Sequence, residues 1–385
     1  MPIKKFSNIL FVGLLCDGST SLGRLDGLKT MGNEVDSLDT SDWLPSGSRI
    51  LRSIVARTYT HSSVWRINHK IRSLISRKKY DLVWIEKGEW IYPWTLSWIK
   101  KKGCSLINYN TDDILGGHGF FWLHRLGIKN YDLYLTTNRK NVIDIGQKYD
   151  IRTMRVGMGF DSTVHHPVNN LKAKIYDIVF IGHWEPHTEE YILELRRAGI
   201  NVHVWGYNWW KAKDENLRAV ISLPQVRYTE TIAAAKIALC SLSRFNWNES
   251  TGRSFEIPAI GTMLLAEYTQ EHEYIYGDGK GAVLFSNISE LVKKAKHYLE
   301  NETERINIAA LGNEISKNPG YSWVDHISRE LPIVLNLLNH LNIKLTETED
   351  RPFWSGFRNG ELPSNTKNMI NVTLLLSPLL MVLPV

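Results

Sequence analysis

The chain has 385 residues, 43% of them apolar and 22% charged, with a net charge of +6 and a pI near 9.0. That length asks for one very large domain or two ordinary ones, and the composition excludes an intrinsically disordered chain. The basic excess reads as spread along the chain, without the dense Lys/Arg stripe of a nucleic-acid binder. It fits a phosphate-bearing ligand or an anionic membrane surface.

The N-terminus "MPIKKFSNILFVGLLCDG" imitates a secretory leader, with two lysines before an apolar run. The run is short, no small-residue cleavage site follows it, and Leu15 before Cys16 argues against a lipoprotein site. It reads as a buried first strand over 8–15. Cys16, Cys104 and Cys240 are odd in number and far apart, so neither a disulfide framework nor a metal spacing follows. A reducing cytoplasm is expected.

Strand-like and helical runs then alternate. After the loop "CDGSTSLG" come a helix around "RLDGLKTMG" and the strand "EVDSLD". Next are the strand "YDLVWIEKG", the helix "YPWTLSWIKKKG" and the strands "SLINYNTDD" and "YDLYLTTN". The helix "RKNVIDIGQKY" and the strand "IRTMRVGMG" complete a first half. The pattern restarts with the strand "YDIVFIGHW", the helix "HTEEYILELRRAG" and the strand "INVHVWG". "TIAAAKIALCSLS" reads as a helix running into a strand, "TMLLAEY" and "GAVLF" as strands, and residues 288–315 as helices. Continuous apolar strands between helices predict parallel sheets covered on both faces. The fold class is therefore α/β, with two Rossmann-like halves joined near Pro167. The expected division is 1–166, 167–345 and a loop-rich tail, 346–385. The tail ends in "MINVTLLLSPLLMVLPV", shorter than the roughly 20 residues of a spanning helix and broken by Pro378. It fits packing on the protein itself or a contact with a membrane surface.

Parallel sheets bind ligands at the carboxyl ends of their strands, so the loops after "FVG", "INYNTDD", "FIGHW" and "CSLSRFNWNESTG" are the candidate sites. The last of these runs into "NESTGRSFEIPAIG", Asn248 to Gly261. A helix starting at Gly252 or Arg253 would present free N–H groups to a phosphate. Thr251 and Ser254 offer hydroxyls, Arg253 a planar fork, and Glu256 a carboxylate for a ribose. Pro258 is expected in the first turns of that helix. The plainer reading is a capped helix start decorated by a glutamate.

The segment "TGRSFEIPAIGTMLLAEYTQE" resembles the nucleotide-sugar-binding region of the CgeB-like (spore maturation protein type) glycosyltransferases. "GKGAVLFSNISELVKKAKHYLENETERINIAALGNE" downstream, and "YDLVWIEKG", "INYNTDD" and "YDLYLTTN" upstream, are similar too. The resemblance implies a GT-B fold: two Rossmann-like domains with parallel sheets facing a central cleft. The first domain would bind the acceptor and the second the donor, with the last helix crossing back to the first. It implies transfer of a sugar from a nucleotide diphosphate sugar to a hydroxyl acceptor, with retention of configuration. Glu256 and Gly261 match the family's ribose-binding Glu and following Gly. Asn248 stands where a second Glu, near the donor sugar, is expected, and Glu249 is its neighbour. Gly182 and His183 would lie under the donor phosphates. No metal and no cofactor beyond the nucleotide-sugar co-substrate are expected of such enzymes.

Asp112, Asp113 and His118, in "NTDDILGGHGF", are candidates to meet the acceptor hydroxyl or donor sugar, and Arg253 to neutralise the leaving diphosphate. Ser19 and Arg24, in "CDGSTSLGR", belong to the acceptor side, with Arg24 offered to a phosphate. Paired aspartates also form turns, and arginines are commonly solvated. The expected partners are a nucleotide-sugar donor and a glycan, lipid-linked or small-molecule acceptor, not nucleic acid. A role in bacterial surface polysaccharide or glycoconjugate synthesis at the inner face of the cell membrane follows from the family. A sugar-nucleotide epimerase and a non-catalytic nucleotide-sugar-binding protein remain open alternatives. Neither half shows G-x-G-x-x-G after its first strand, which weighs against a dinucleotide oxidoreductase.

Overall fold

The computed structural model describes residues 8–16, 18–41, 49–116, 121–169, 173–221 and 227–339, with the backbone of 345–347 and 372–374. His118 and the apolar C-terminal run outside 372–374 lie outside the described residues.

The first half contains β1 (Asn8–Gly13), α1 (Thr20–Thr30), β2 (Glu34–Asp39), α2 (Arg49–Thr58), α3 (Ser62–Arg77), β3 (Leu82–Glu86) and α4 (Pro93–Lys101). It continues with β4 (Ser105–Asn110), α5 (Trp122–Gly127), β5 (Leu133–Thr136), α6 (Arg139–Tyr149) and β6 (Thr153–Arg155). Its six strands are all parallel, in the order β2-β1-β3-β4-β5-β6. β3 is buried along its whole length, as a strand covered on both faces must be. The helices α2 and α3 fill a stretch to which the sequence reading assigned no element. α3 nonetheless carries the helical period: Val64, Ile67, Ile71 and Ile75 are buried while Trp65, Arg66, His69 and Lys70 are exposed.

The second half contains β7 (Tyr176–Ile181), α7 (Pro186–Arg197), β8 (Val202–Trp205), α8 (Glu215–Arg218), α9 (Tyr228–Ala233) and β9 (Ala235–Cys240). Then come α10 (Gly252–Ile260), β10 (Met263–Glu267), α11 (Gln270–Tyr276), β11 (Val283–Phe285), α12 (Ile288–Glu300), α13 (Glu302–Ile315) and α14 (Trp323–Asn339). Its five parallel strands run β11-β10-β9-β7-β8. Read from the opposite edge, this repeats the order of the first five strands of the first sheet. Each sheet therefore has a switch point, between β1 and β3 and between β7 and β9, where a crevice opens at the strands' carboxyl ends. Beyond α14, β12 (Leu345–Glu347) and β13 (Val372–Leu374) form an antiparallel pair.

The apolar face of α14 does not pack on the second sheet. Ile327, Leu331, Val334 and Leu337 lie in one buried cluster with Ile9, Phe11, Leu25 and Leu28 of the first half. The chain is pinned where it returns: the Phe160 N–H donates to Tyr321 O (3.2 Å) and the Trp323 N–H to Phe160 O (2.9 Å). Burying such a row of aliphatic side chains is worth about 1.5–3 kcal/mol each. That is ample to hold the helix on the distant half.

Candidate functional site

A 410 Å³ pocket opens at the β7/β9 switch point. Its walls are the ends of β7 and β8, the segment after β9 and the start of α10. Gly182 and Gly206 line it because their backbones meet there. A Cβ on Gly206 would stand 1.7 Å from Gly182 O, and one on Gly182 would stand 1.8 Å from Arg253 Nη1. Neither position accepts a side chain without the pocket being rebuilt.

Arg253 lies in the first turn of α10. Its Nη1 donates to Ile181 O (2.8 Å) and its Nη2 to Ser241 O (2.9 Å), so one guanidinium bridges the ends of β7 and β9. Carbonyls orient the group without cancelling its charge, and they use two of its five N–H groups. The Phe180 ring supports it from below, 5.2 Å from centroid to Cζ. Thr251 and His183 line the same pocket. The His183 ring packs against Tyr207 with centroids 5.6 Å apart. Partial desolvation, then Arg253, holds the His183 pKa below the ordinary imidazole value. A neutral imidazole can still donate one N–H to an anion.

Under the pocket floor lies a hydrogen-bonded layer absent from the sequence reading. Glu267 at the end of β10 accepts from the Leu242 N–H (2.9 Å) and the Ser241 hydroxyl (3.2 Å), and pairs with Arg244 (2.5 Å). His187 reaches Ser241 Oγ at 3.0 Å. Buried Glu267 thereby fixes the segment that offers its Ser241 carbonyl to Arg253.

Other members of the stretch are placed differently from expectation. The Ser254 hydroxyl, expected at a phosphate, is fully buried and bonded to His272 Nε2 (2.8 Å) and the Thr251 N–H (3.0 Å). As helix position N3 it closes the cap, so the plainer reading holds for this residue. Glu256 accepts the Tyr228 hydroxyl at 2.6 Å and is not among the residues lining the pocket; Tyr228 is. Burial, then Glu256, pushes the Tyr228 pKa well above the ordinary phenol value. Gly252 opens the helix, and its missing side chain leaves room for Glu256 Oε1.

Pro258 sits in the last turn of α10, not the first. It cannot donate to Ser254 O, and the buried Tyr276 hydroxyl takes that place at 2.7 Å. Asn313 reaches over the helix end to Pro258 O and Ala259 O (2.9 and 2.7 Å). Gly261, at φ +86°, then ends the helix in the left-handed region.

The segment before α10 faces the first half. Asn248 Nδ2 donates to Thr111 O (3.4 Å), and Glu249 lies 3.6 Å from Arg155, which also holds Glu271 at 2.8 Å. Asn246 accepts from the Asp113 N–H (3.2 Å), and its amide reaches Asp112 Oδ1 (3.4 Å). Asn248 and Glu249 thus belong to the seam between the halves, while Asn246 lies on both seam and pocket wall.

Across that seam, Asp112 pairs with Lys87 at 2.8 Å. Lys87 follows β3 with φ +56°, a conformation uncommon outside glycine. Desolvation opposes its charge, but Asp112 and Glu89 outweigh it and hold the amine above the ordinary lysine range. Burial raises the Glu89 carboxyl. Lys87 also depresses the His183 pKa, so it acts on the pocket from the opposite half. Its strand-end position was the only sequence signal for it. Asp113 is buried, and its Oδ1 accepts the Leu115 and Gly116 N–H groups (3.1 and 3.0 Å). That is a turn-forming aspartate rather than one presented to a substrate.

Arg24, expected to meet a phosphate, is 2% exposed. Its Nε and Nη2 hold both oxygens of Glu86 (2.9 and 2.5 Å), and Tyr109 and Trp323 flank its guanidinium at 4.0 and 4.6 Å. Ser19 is the N-cap residue of α1 and its hydroxyl donates to Leu14 O. Both serve structure at the first crevice. Among the described residues no group of three His, Cys, Asp or Glu is placed to hold a metal ion, and no helix is long and apolar enough to cross a membrane.

Residues 188–327 match a family model described as glycosyl transferase-like, which takes in α10 and, beneath the pocket, Ser241, Leu242, Arg244 and Glu267. No curated protein matches the chain. Among solved structures it is similar to the sucrose-phosphate synthase of Thermosynechococcus elongatus, at 11% identity and TM-score 0.59 over 86% of this chain and 99% of that one. A glycosyltransferase from Rickettsia africae gives 10% and 0.59 over 88% and 100%. HepE of Anabaena, solved with UDP and glucose, gives 14% and 0.56 over 86% and 99%. At these identities the likeness is one of fold. The chain thus has the GT-B fold, and its residues 188–327 are glycosyl transferase-like.

Proposed function

We propose that this protein is a glycosyltransferase of the CgeB-like type, moving a sugar from a nucleotide diphosphate sugar to a hydroxyl acceptor with retention of configuration. The observation that carries the reading is Arg253. Its charge is aimed by two carbonyls and, among the described residues, paired with no carboxylate, at the wall of a pocket on a sheet switch point. Such a site suits a diphosphate. HepE, of the same fold, is seen with UDP-glucose, and this supports a nucleotide-sugar donor here.

As the glycosidic bond breaks, negative charge grows on the leaving diphosphate. Arg253, the first N–H groups of α10 and neutral His183 would receive it, an electrostatic contribution made by preset groups. Lys87 would approach from the first half, exchanging Asp112 for phosphate. Asp112 would then be free to orient the acceptor hydroxyl. The acceptor enters along the first half, and surface polysaccharide or glycoconjugate synthesis is the setting this reading favours.

The test is a thermal-shift panel of UDP-, GDP- and dTDP-sugars, followed by turnover with and without acceptor. One nucleotide sugar should raise Tm, since a ligand of the native state alone stabilises it. Its shift should shrink in Lys87→Ala, and sugar release should need an acceptor. Conversion of the donor alone would establish an epimerase instead. No shift with any nucleotide sugar would end the reading.

A further inference from the structure

The outer face of the first half carries a second, larger depression of 990 Å³. It runs between α3 and α4 from the start of α4 toward the end of α3, with α5 at one side. Three tryptophans stand in it largely in the open: Trp65 (60% exposed), Trp94 (60%) and Trp122 (41%). Leu126 is 64% exposed beside them. The rings are held rather than loose. Trp94 stacks on Tyr92 at 4.3 Å and Trp65 on His69 at 5.0 Å.

The stretch that supplies the α3 side of this groove is rich in cations. Between Asp42 and Asp81 the chain carries nine Lys and Arg and not one Asp or Glu. The whole-chain charge of +6 hides this, because acids elsewhere offset it. Arg66, Lys70, Arg72 and Arg77 of α3 are exposed, and among the described residues no acidic one lines the groove.

Exposed aromatic rings suit a glycan, a protein partner or the interface of a lipid bilayer. A sugar site commonly sets carboxylate or amide partners beside the rings, along with hydroxyls and cations. Among the described residues lining the groove there is no carboxylate, and the one amide is committed. Asn68 Nδ2 donates to Val64 O and Trp90 O, and its Oδ1 accepts the Tyr92 N–H. Tryptophans at the level of lipid headgroups, with Arg and Lys beside them, are the signature of an anionic bilayer surface. We infer that the α3–α4 face docks this protein on an anionic phospholipid membrane, Trp65, Trp94 and Trp122 entering the headgroup layer and the α3 cations meeting lipid phosphates. The inference does not depend on the reaction catalysed. The start of α4 lies on the same sheet edge as Lys87 and Asp112, so docking would present the cleft close to the membrane plane.

The experiment is vesicle flotation of the full chain with phosphatidylcholine alone and with added phosphatidylglycerol. Two variants are compared, Trp65→Ser/Trp94→Ser and Arg66→Glu/Lys70→Glu, each checked for unchanged circular dichroism and Tm. The parent should float with the anionic vesicles only, less so at high salt. Each variant should bind about tenfold more weakly. A parent that stays unbound overturns the inference. So do variants that float like the parent, since the attachment then lies elsewhere in the chain. A soluble neutral oligosaccharide that quenches tryptophan fluorescence in the parent but not in Trp65→Ser/Trp94→Ser, without flotation, assigns the groove to a glycan and also overturns it.

Discussion

The two halves repeat one strand order, and each places an arginine at its switch point, with opposite results. Arg24 reaches from α1 to Glu86 at the end of β3; both are about 3% exposed and closed in by Tyr109 and Trp323. Arg253 reaches from α10 to two carbonyls at the ends of β7 and β9 and stays on a pocket wall. A carboxylate neutralises the first arginine and an aromatic lid seals it, so that crevice has become core. Carbonyls aim the second and leave its charge in place. The fold supplies two equivalent crevices, and the partner of one guanidinium decides which can take an anion.

That contrast can be broken most severely at the first crevice. Glu86→Ala strands a buried arginine, and a loss of about 3–5 kcal/mol is expected by denaturant unfolding. Nucleotide-sugar binding by the folded fraction should be unchanged. At the second crevice, Arg253→Ala should lower turnover about 10²–10³-fold, read by steady-state kinetics. Its effect on stability should be far smaller than that of Glu86→Ala. Equal stability losses in the two variants would erase the distinction.

Acid sharpens the comparison next. His124 in the first half is buried, and desolvation lowers its pKa from 6.5 to about 4. The folded pKa is depressed, so between those values the unfolded chain binds more protons. Stability is therefore full above pH 6.5, falls as pH drops toward 4 and is level below. The loss is of order 3 kcal/mol. Unfolding at several pH values should show a shallower slope in His124→Phe than in the parent, the remainder coming from His272 and His183, whose pKa values burial also lowers.

The smallest effect concerns α10. Tyr276→Phe removes the donor that satisfies Ser254 O and should cost about 1 kcal/mol. In a Pro258→Ala background the helix supplies its own N–H, so the same change should cost less. A double-mutant cycle on Tm reads the difference.

Much of the frame was legible beforehand. β3 and β10 are largely apolar runs buried along their whole length, and the centre of β7 is another; a parallel sheet leaves that mark on a sequence. The start of α10 was legible from Thr251 and Gly252, because caps are local chemistry. Pro258 was misplaced because its tolerance in the last turn rests on Tyr276, a residue of the following helix. Ser254 was misassigned because a capping hydroxyl and a phosphate-binding one look alike until His272 is seen beside it. Arg24 reads from the sequence as a solvent-facing or ligand-facing group because Glu86 and Trp323 are remote from it in the chain.

The sequence by itself determined the α/β class, both parallel sheets and the edge at which ligands must bind, since periodicity and burial are written residue by residue. Tertiary structure alone decided which crevice is open and which carboxylates meet cations. Those outcomes depend on pairs such as Arg24 with Glu86 and Asp112 with Lys87. A contact between residues distant in the chain has no local pattern to announce it.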